Sequence, residues 1–208
     1  MAHIEHFEFF VISGLLLNMM PGPDTFYILA RTLAQGRKAG MLSVLGISAG
    51  CLVHTIAAAV GLSAILVASS TAFTVVKLCG AGYLIYLGVR MFVEASKSAG
   101  KELTVPPAGG REIFVQAVIT NVLNPKVAVF FLAFLPQFVS ASAKGTFVPF
   151  LFLGLVFILN GTIYCMLLVL FASALVRKLK TSQRTTALFK RVTGGVFVGL
   201  GVKLAVDR

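Results

Sequence analysis

The sequence predicts an all-α integral membrane protein with six transmembrane helices, arranged as two inverted three-helix repeats, with helices 1 and 4 broken near the membrane midplane. Three observations predict this class. Of the 208 residues, 58% are hydrophobic and only 12% are charged, against about 25% charged residues in a soluble domain. Apolar stretches long enough to cross a bilayer occupy most of the chain. Helix-breaking prolines interrupt two of these stretches at matching positions.

Six apolar stretches approach the roughly 20 residues that a membrane helix needs, and they leave no room for a soluble domain. We therefore expect one transmembrane domain over residues 1–208, with a first repeat at 1–95 and a second at 112–208. Residues 96–111, rich in Gly, Pro, Ser and Lys, are expected to form a cytoplasmic linker. The predicted spans are Phe7–Ala30, Met41–Ala68, Thr71–Val93, Ile113–Val139, Phe147–Val176 and Val192–Val206.

The distribution of positive charge predicts the orientation. Thirteen of the 18 lysines and arginines fall in the first, third and fifth connections. Since Lys and Arg accumulate in cytoplasmic loops, these connections face the cytoplasm and both termini face the opposite, periplasmic side. The net charge of +11 therefore reflects topology, and we expect no nucleic-acid binding, because the basic residues are not interleaved with exposed aromatic ones.

Similar segments in the two halves indicate the repeat. "KLCGAGYLIYLGVR" (Lys77–Arg90) and "KRVTGGVFVGLGVK" (Lys190–Lys203) share five identical positions without gaps. The same logic pairs "NMMPGPD" (Asn18–Asp24) with "NVLNPKV" (Asn121–Val127), in which an asparagine precedes a proline break and a charge follows it. Because each repeat has three helices, the second enters the membrane from the opposite side. Inverted repeats with matching broken helices are typical of secondary transporters, which bind substrate near the midplane.

Two opposite charges accompany the breaks. Asp24 and Lys126 are expected at membrane depth, where a lone charge costs at least about 3 kcal/mol. Together they suit an amino acid, with Asp24 taking the ammonium group and Lys126, helped by free N–H groups at the half-helix ends, taking the carboxylate. A structural ion pair or a helix cap is the alternative, because an Asp after a proline also suits a helix start. The helix-breaking residues are Pro21, Gly22, Pro23 and Pro125.

Polar residues in the predicted spans indicate a hydrated face around these charges. Some are spaced by four, which places them on one side of a helix. Hydrogen bonding between helices is the alternative interpretation. The predicted substrate-binding residues are Asp24, Lys126, Asn18, Asn124, Gln116, Thr120, Asn160 and Tyr164.

A seam of mostly small residues follows the second span at helical spacing and predicts close packing against another helix. Its one larger member, His54, is a candidate proton relay together with Asp24. A hydrogen bond from this histidine to a neighbouring backbone group is the alternative. The seam consists of Ser43, Gly46, Gly50, His54, Ala57 and Gly61.

The sequence shows no arrangement of residues typical of a metal site or an enzyme. The three cysteines lack metal-ligand spacing, and Asp24 is the only acid clearly inside a span. There is no nucleophile–base pair and there are no paired carboxylates, so we expect neither catalysis nor a cofactor nor a bound metal. An ion or metal transporter, and a membrane enzyme or assembly factor, remain the alternatives to an amino-acid transporter.

Four segments of the chain resemble the LysE/RhtB family of bacterial amino-acid exporters, and in particular its homoserine/threonine efflux members. The resemblance covers nearly the whole chain. Pro21, Gly22, Pro23 and Asp24 match one family motif, and Asn124, Pro125 and Lys126 match another. Gly80, Tyr83, Leu84 and Gly88 match the third-helix pattern. The segments are "MPGPDTFYILARTLAQGRKAG", "GISAGCLVH", "KLCGAGYLIYLGVR" and "NVLNPKVAVFFLAFLPQF".

The resemblance implies export of amino acids across the bacterial inner membrane, driven by the proton-motive force. The implied partners are an amino-acid substrate, protons and the lipid bilayer. The oligomeric state stays open, a homodimer included. Since the single acid at the expected site is already faced by Lys126, a dicationic substrate such as lysine is disfavoured. We expect a small neutral amino acid such as threonine, homoserine or leucine.

Overall fold

The computed structural model describes residues 3–68, 105–140 and 146–181, together with isolated positions in 71–93, at 143 and in 191–206. These parts are helical apart from short connections and one antiparallel bridge between Ile4 and Val139. The third and sixth predicted spans, the repeated segments within them and most of the predicted linker lie largely outside the described residues. The arrangement of six spans as an inverted repeat therefore stays a prediction.

Five helices are described at full length. Helix α4 continues through a π-helical turn, Phe130–Phe134, and a 3₁₀ turn, Leu135–Phe138. The helices α1, α2 and α5 cover the first, second and fifth predicted spans, while α3 and α4 share the fourth. Their bounds are α1, Phe7–Met19; α2, Pro23–Ala68; α3, Gly110–Val122; α4, Pro125–Val129; and α5, Val148–Thr181.

The helix breaks fall at the prolines that the sequence singles out. The helix α1 ends at Met19 because Met20 is extended (φ −69°, ψ 120°), and α2 begins at Pro23, whose fixed φ suits a first helical position. The second break separates α3 from Pro125, and the helical segments on its two sides are bent by 47°. Asn124 caps the new helix, since its side-chain oxygen accepts the Lys126 N–H at 3.1 Å.

The long helix α2 folds back on itself at Gly36, where φ is 83° and ψ is −178°, a conformation essentially restricted to glycine. In an unbroken helix Asp24 and Gly50 would be about 39 Å apart. Instead both reach Asn121: its side chain hydrogen-bonds to Asp24 at 2.9 Å, and its Cβ would lie 2.8 Å from a Cβ added at Gly50. The helix α2 is therefore a hairpin of two arms, residues 23–35 and residues 37–68.

Close packing of the second arm against α3 covers only part of the predicted seam of small residues. A Cβ at Gly46 would lie 2.5 Å from the Phe114 carbonyl oxygen, and one at Gly50 would also be too close to α3. Ala57 is exposed, and nothing lies within 4 Å of a Cβ added at Gly61. The glycines thus bring the two helices together around the middle of the second arm and not further along it.

Aromatic rings form the core between α1, α4 and α5. Phe130 stacks on Phe157 with ring centroids 4.7 Å apart, and Phe10 is fully buried beside them. Outward-facing side chains are also apolar: Val60 is 67% exposed and Leu159 is 61% exposed. An apolar exterior around an apolar core is what a bilayer allows and water does not. The core phenylalanines are Phe10, Phe130, Phe131, Phe134, Phe138, Phe150 and Phe157.

Two stretches among the described residues are long and apolar enough to cross a membrane, Pro23–Leu62 and Val148–Ala172. The bent pair Gly110–Val122 and Pro125–Phe138 makes a third if it is counted as one span. The 13 residues of α1 are about 20 Å long and too short to cross alone. The first predicted span, Phe7–Ala30, contains α1 and the start of the first arm of α2, and a single crossing by the two stays a prediction.

Replacing Gly36 by alanine should destabilise the protein by about 1–3 kcal/mol, because alanine must leave the conformation that the hairpin needs. No atom lies within 4 Å of a Cβ at this position, so the penalty comes from the backbone alone. Gly61→Ala is the matched control, since a Cβ there also meets open space but in a regular helix, where alanine is favoured. The thermal stability of both variants is measured as the loss of monodisperse protein on heating in detergent. Equal midpoint temperatures for the two variants would contradict the prediction.

Candidate functional site

A cavity of about 40 Å³ lies between the two broken helices. Residues of α1, both arms of α2, α3, α4 and α5 line it, so it sits where all described helices meet. At 10–15 Å³ per molecule it has room for roughly three waters. Among the predicted site residues, Asn18, Asp24 and Lys126 line it.

Asp24 is buried in the cavity wall at the first turn of α2, with 9% of its surface exposed. One carboxylate oxygen, Oδ2, accepts a hydrogen bond from Asn121 Nδ2 at 2.9 Å. The other, Oδ1, is buried and accepts no hydrogen bond of good geometry from the described residues, although the Asn124 side chain, whose amide is also unpaired, interacts with this carboxylate. A buried carboxylate oxygen without a donor is costly, so this atom is an acceptor site for a ligand or a water.

Lys126 is buried on the opposite break, with 8% of its surface exposed. Its Nζ donates to the Leu17 carbonyl at 3.2 Å and to the Met20 carbonyl at 3.0 Å, rather than to Asp24. These carbonyls lie at the end of α1, where the helix can no longer pair its own backbone. Since an ammonium group has three donors, one remains after these two bonds. The two charges thus share a cavity without forming the direct ion pair that was one interpretation of the sequence.

Asparagines surround the two charges and are incompletely paired. Asn18 Nδ2, Asn121 Oδ1 and Asn124 Nδ2 are all buried without a hydrogen-bond partner. Together with Asp24 Oδ1 they make up four of the five such atoms in the described part of the chain. Each unpaired buried group costs about 1–3 kcal/mol, so four at the two breaks indicate a place where a polar ligand or water binds.

The backbone N–H groups at the start of α4 are already used. Asn124 accepts from the N–H of Lys126 through its side chain, and from those of Val127 and Ala128 through its carbonyl, each at 3.1 Å. The expectation that free N–H groups at this half-helix end hold a carboxylate therefore has no support here. Lys126 Nζ and Asn124 Nδ2 are the side-chain donors that remain on this side.

The other predicted site residues lie outside the lining of the cavity. Gln116 contacts Arg31, and the hydroxyl of Thr120 donates to the Gln116 carbonyl on its own helix at 2.7 Å. The Tyr164 hydroxyl is 3.5 Å from the Met19 carbonyl, beside the first break. Asn160 is half-buried on α5. The structure therefore brings together the residues at the breaks and does not gather the whole predicted polar face.

His54 faces α3, with Nε2 3.1 Å from the Asn121 carbonyl and its ring stacked on Phe131 at 6.0 Å. This is the backbone contact expected of a structural histidine. Asn121 also hydrogen-bonds to Asp24, so a single residue connects His54 to the Asp24 carboxylate.

Two residues of this region were not singled out by the sequence analysis. Asn121 is the residue that hydrogen-bonds to Asp24. It precedes the second break as Asn18 precedes the first, and this matching position could have identified it as a site residue. Arg31 was counted as a loop charge but is only 3% exposed. Helical spacing could have placed it beside Asp24, because one face of a helix carries, at intervals of 3, 4 and 4, the residues Asp24, Tyr27, Arg31 and Gln35.

Among the described residues, no group of three His, Cys, Asp or Glu side chains could hold a metal ion. The sequence profile described as "LysE type translocator" matches residues 15–208. The chain belongs to the LysE-type translocator family. This LysE-type translocator is therefore a multi-pass membrane transport protein, and the resemblance found in the sequence is confirmed.

Several curated relatives match this translocator over nearly its whole length. An uncharacterized membrane protein of Bacillus subtilis, YrhP, is 30% identical over 95% of this chain and 97% of its own. A leucine efflux protein of Klebsiella pneumoniae is 29% identical over 94% of this chain and 92% of its own. A leucine efflux protein of Salmonella typhimurium is 27% identical over the same shares. No solved structure matches the chain significantly.

A double-mutant cycle of Asp24→Ala and Asn121→Ala should give a coupling of about 1.5–3 kcal/mol, the range for a hydrogen bond to a charged group. Unfolding of the detergent-solubilised protein by heat or denaturant measures it. Ser43→Ala serves as the control partner for Asp24→Ala, because Ser43 is buried but hydrogen-bonds to its own helix at Ala39. That second cycle should be additive within about 0.5 kcal/mol. Equal coupling in both cycles would show that the Asp24–Asn121 bond contributes nothing specific.

Proposed function

We propose that this translocator exports small neutral amino acids, leucine foremost, from the cytoplasm in exchange for protons. The observation that carries the proposal is the pair of opposite charges in one buried cavity, each with hydrogen-bonding capacity left over. Asp24 Oδ1 has no donor, and Lys126 Nζ has two of its three donors engaged. Family membership and the leucine efflux proteins among the relatives support export of amino acids.

The two charges match the constant part of an amino acid. The α-ammonium group would donate to Asp24 Oδ1, and the α-carboxylate would accept from Lys126 Nζ and from the unpaired amide of Asn18. A zwitterion would satisfy groups of opposite sign at once and add no net charge to a low-dielectric site. This is cheaper than binding an ion of one sign, which would leave one partner uncompensated.

The remaining wall of the cavity favours an aliphatic side chain. Ser48 Oγ and Thr162 Oγ1 lie 2.7 Å apart and satisfy each other across the cavity lining. These two hydroxyls are thus occupied, while the apolar residues offer contact area to a branched chain. Threonine and homoserine are the second candidates, because they would compete with this hydroxyl pair. The apolar lining residues include Leu17, Ile47, Val127, Phe157 and Ile158.

Transport needs the cavity to enlarge and to open on each side in turn. At about 40 Å³ it has room for a few waters and not for an amino acid, so the helices around it would have to move apart to admit substrate. The breaks at 20–22 and 123–124 divide both spans into segments that can tilt separately. Alternating access between two inverted halves, with the termini on the periplasmic side of the bacterial inner membrane, is the arrangement we propose.

Protons would use the same carboxylate. When substrate has left, Asp24 would be a buried carboxylate beside Asn121 with one oxygen unpaired, and protonation removes that cost. A proton entering from the outer side would therefore replace the substrate ammonium on Asp24. His54 lies next to Asn121 and is the candidate for passing that proton.

Asp24→Asn and Lys126→Met should each lower leucine efflux at least about 100-fold, because each leaves one charge of the zwitterion without its partner in a buried site. Efflux of labelled leucine from preloaded cells, normalised to protein in the membrane, measures this. Lys38→Met is the matched control, since it removes a lysine from an exposed position on the hairpin and should keep wild-type efflux. Wild-type rates in both site variants would leave the two charges with a structural role alone.

Accumulation of leucine inside inverted vesicles should require a proton gradient. In such vesicles the cytoplasmic face points outward, so an acid interior should drive uptake through the translocator by exchange with protons. A protonophore should abolish accumulation and leave leucine–leucine exchange intact. Accumulation that persists with the protonophore, or that follows a sodium gradient instead, would contradict proton coupling while leaving amino-acid transport standing.

A further inference from the structure

Arg31 is a buried charge that has no carboxylate partner among the residues that the structure describes. Only 3% of its surface is exposed, and its guanidinium donates to neutral oxygens: Gln35 Oε1 at 2.9 Å, the Pro106 carbonyl at 2.7 Å and Gln116 Oε1 at 2.7 Å. It also lies 5.6 Å from the centre of the Tyr27 ring. Its Nε is buried and unpaired.

Among the described residues, the one carboxylate that joins this network does not reach the arginine. Glu112 is exposed and accepts from Gln116 Nε2 at 2.9 Å, on the far side of that amide. The described contacts of Arg31 therefore leave a full positive charge balanced by carbonyl dipoles. A guanidinium is built to bind a carboxylate through two parallel hydrogen bonds, and such bonds are shorter and stronger than those to neutral acceptors.

The arginine lies between the cavity and the basic end of the hairpin. It is seven residues, or about 10 Å of helix, from Asp24 in the direction of Gly36. Polar contacts continue along that distance, because the Tyr27 hydroxyl donates to the Ile113 carbonyl at 2.9 Å and Gln35 bonds to Ala108. A polar seam thus runs between the first arm of α2 and α3, from the cavity to the segment at 105–109.

The segment before α3 occupies the outer end of this seam. Residues 105–109 have no regular secondary structure, and Arg31 and Gln35 hold them through the backbone of Pro106 and Ala108. The Pro106 carbonyl and the Gln116 amide oxygen accept from the two terminal nitrogens of the guanidinium. These are two of the nitrogens through which a guanidinium binds a carboxylate.

We propose that Arg31 is a second binding site for the substrate α-carboxylate, on the cytoplasmic side of the cavity, which the segment 105–109 covers in the closed state. This rests on the proposed function as an amino-acid exporter. When the segment moves away, the guanidinium exchanges neutral oxygens for the carboxylate of an arriving amino acid. The substrate then passes along the seam to Asp24 and Lys126. The site gives the exporter affinity at the face from which it loads.

Leucine counterflow in vesicles of both orientations tests this. Membranes are preloaded with unlabelled L-leucine, the proton gradient is collapsed, and the labelled leucine concentration for half-maximal entry is measured. In inside-out vesicles Arg31→Gln should raise that concentration at least about tenfold, because the guanidinium–carboxylate bonds are lost. In right-side-out vesicles the concentration for half-maximal entry should stay within about twofold of the wild-type value, because substrate entering from the outer face does not use this site.

Two further variants complete the test. Arg31→Lys keeps the charge without the paired donors and should give a smaller rise, again only in inside-out vesicles. Arg37→Gln is the matched control, because it removes an arginine from an exposed position on the same hairpin and should change neither value.

Each outcome bears on the proposal. A rise confined to inside-out vesicles supports it. An equal change from both faces, no change, or failure of both Arg31 variants to insert would make the guanidinium a structural clamp and overturn it. If the wild type exchanges no leucine and, in the same assay, no threonine or homoserine, the proposed function fails and this inference fails with it. Wild-type exchange with unaffected Arg31 variants overturns the inference alone.

Discussion

The hydrogen bonds from Lys126 Nζ to the Leu17 and Met20 carbonyls connect the two broken helices. A helix that stops inside a bilayer leaves carbonyls with no water to bind, and each such group costs several kcal/mol. The lysine at the second break donates to two carbonyls at the first, of which that of Leu17 also accepts from the Met20 N–H. The same bonds place an ammonium group in the cavity and offset part of its burial cost. The end of α1 and the lysine therefore stabilise each other.

This arrangement makes Lys126 both a structural group and a candidate ligand for substrate, and the two roles are in competition. If a carboxylate attracted the ammonium away from α1, the Met20 carbonyl would lose this donor and the Leu17 carbonyl would keep only the Met20 N–H. Binding of substrate would then be coupled to the position of α1 relative to α4. A transporter needs such coupling, because a ligand moves a conformational equilibrium only through contacts that differ between the two states. Asp24 makes the corresponding link on the other side through Asn121.

The local features of the fold were predictable from sequence, and the long-range ones were not. Proline dictates a break wherever it stands, so the ends of α1 and α3 followed from Pro21, Pro23 and Pro125. The bounds of the apolar stretches likewise matched α5 and the second arm of α2 closely. Gly36 was hidden in an expected loop of ten residues, because a hairpin with a single non-helical residue looks the same as a loop in composition.

The same limit explains which site residues were found. Asp24 and Lys126 stood out because a charge in an apolar stretch is visible in the sequence itself. Arg31 lies just past the last apolar residue, and its partners Pro106 and Gln116 are 75 and 85 positions away. Nothing local distinguishes it from Arg37, six residues on, which is exposed. Only the fold-back at Gly36 and the packing of α3 bury one and not the other. The burial of Arg31 is thus a property of tertiary structure, and the cost of burying a positive charge is what makes this residue a candidate for a role beyond setting topology.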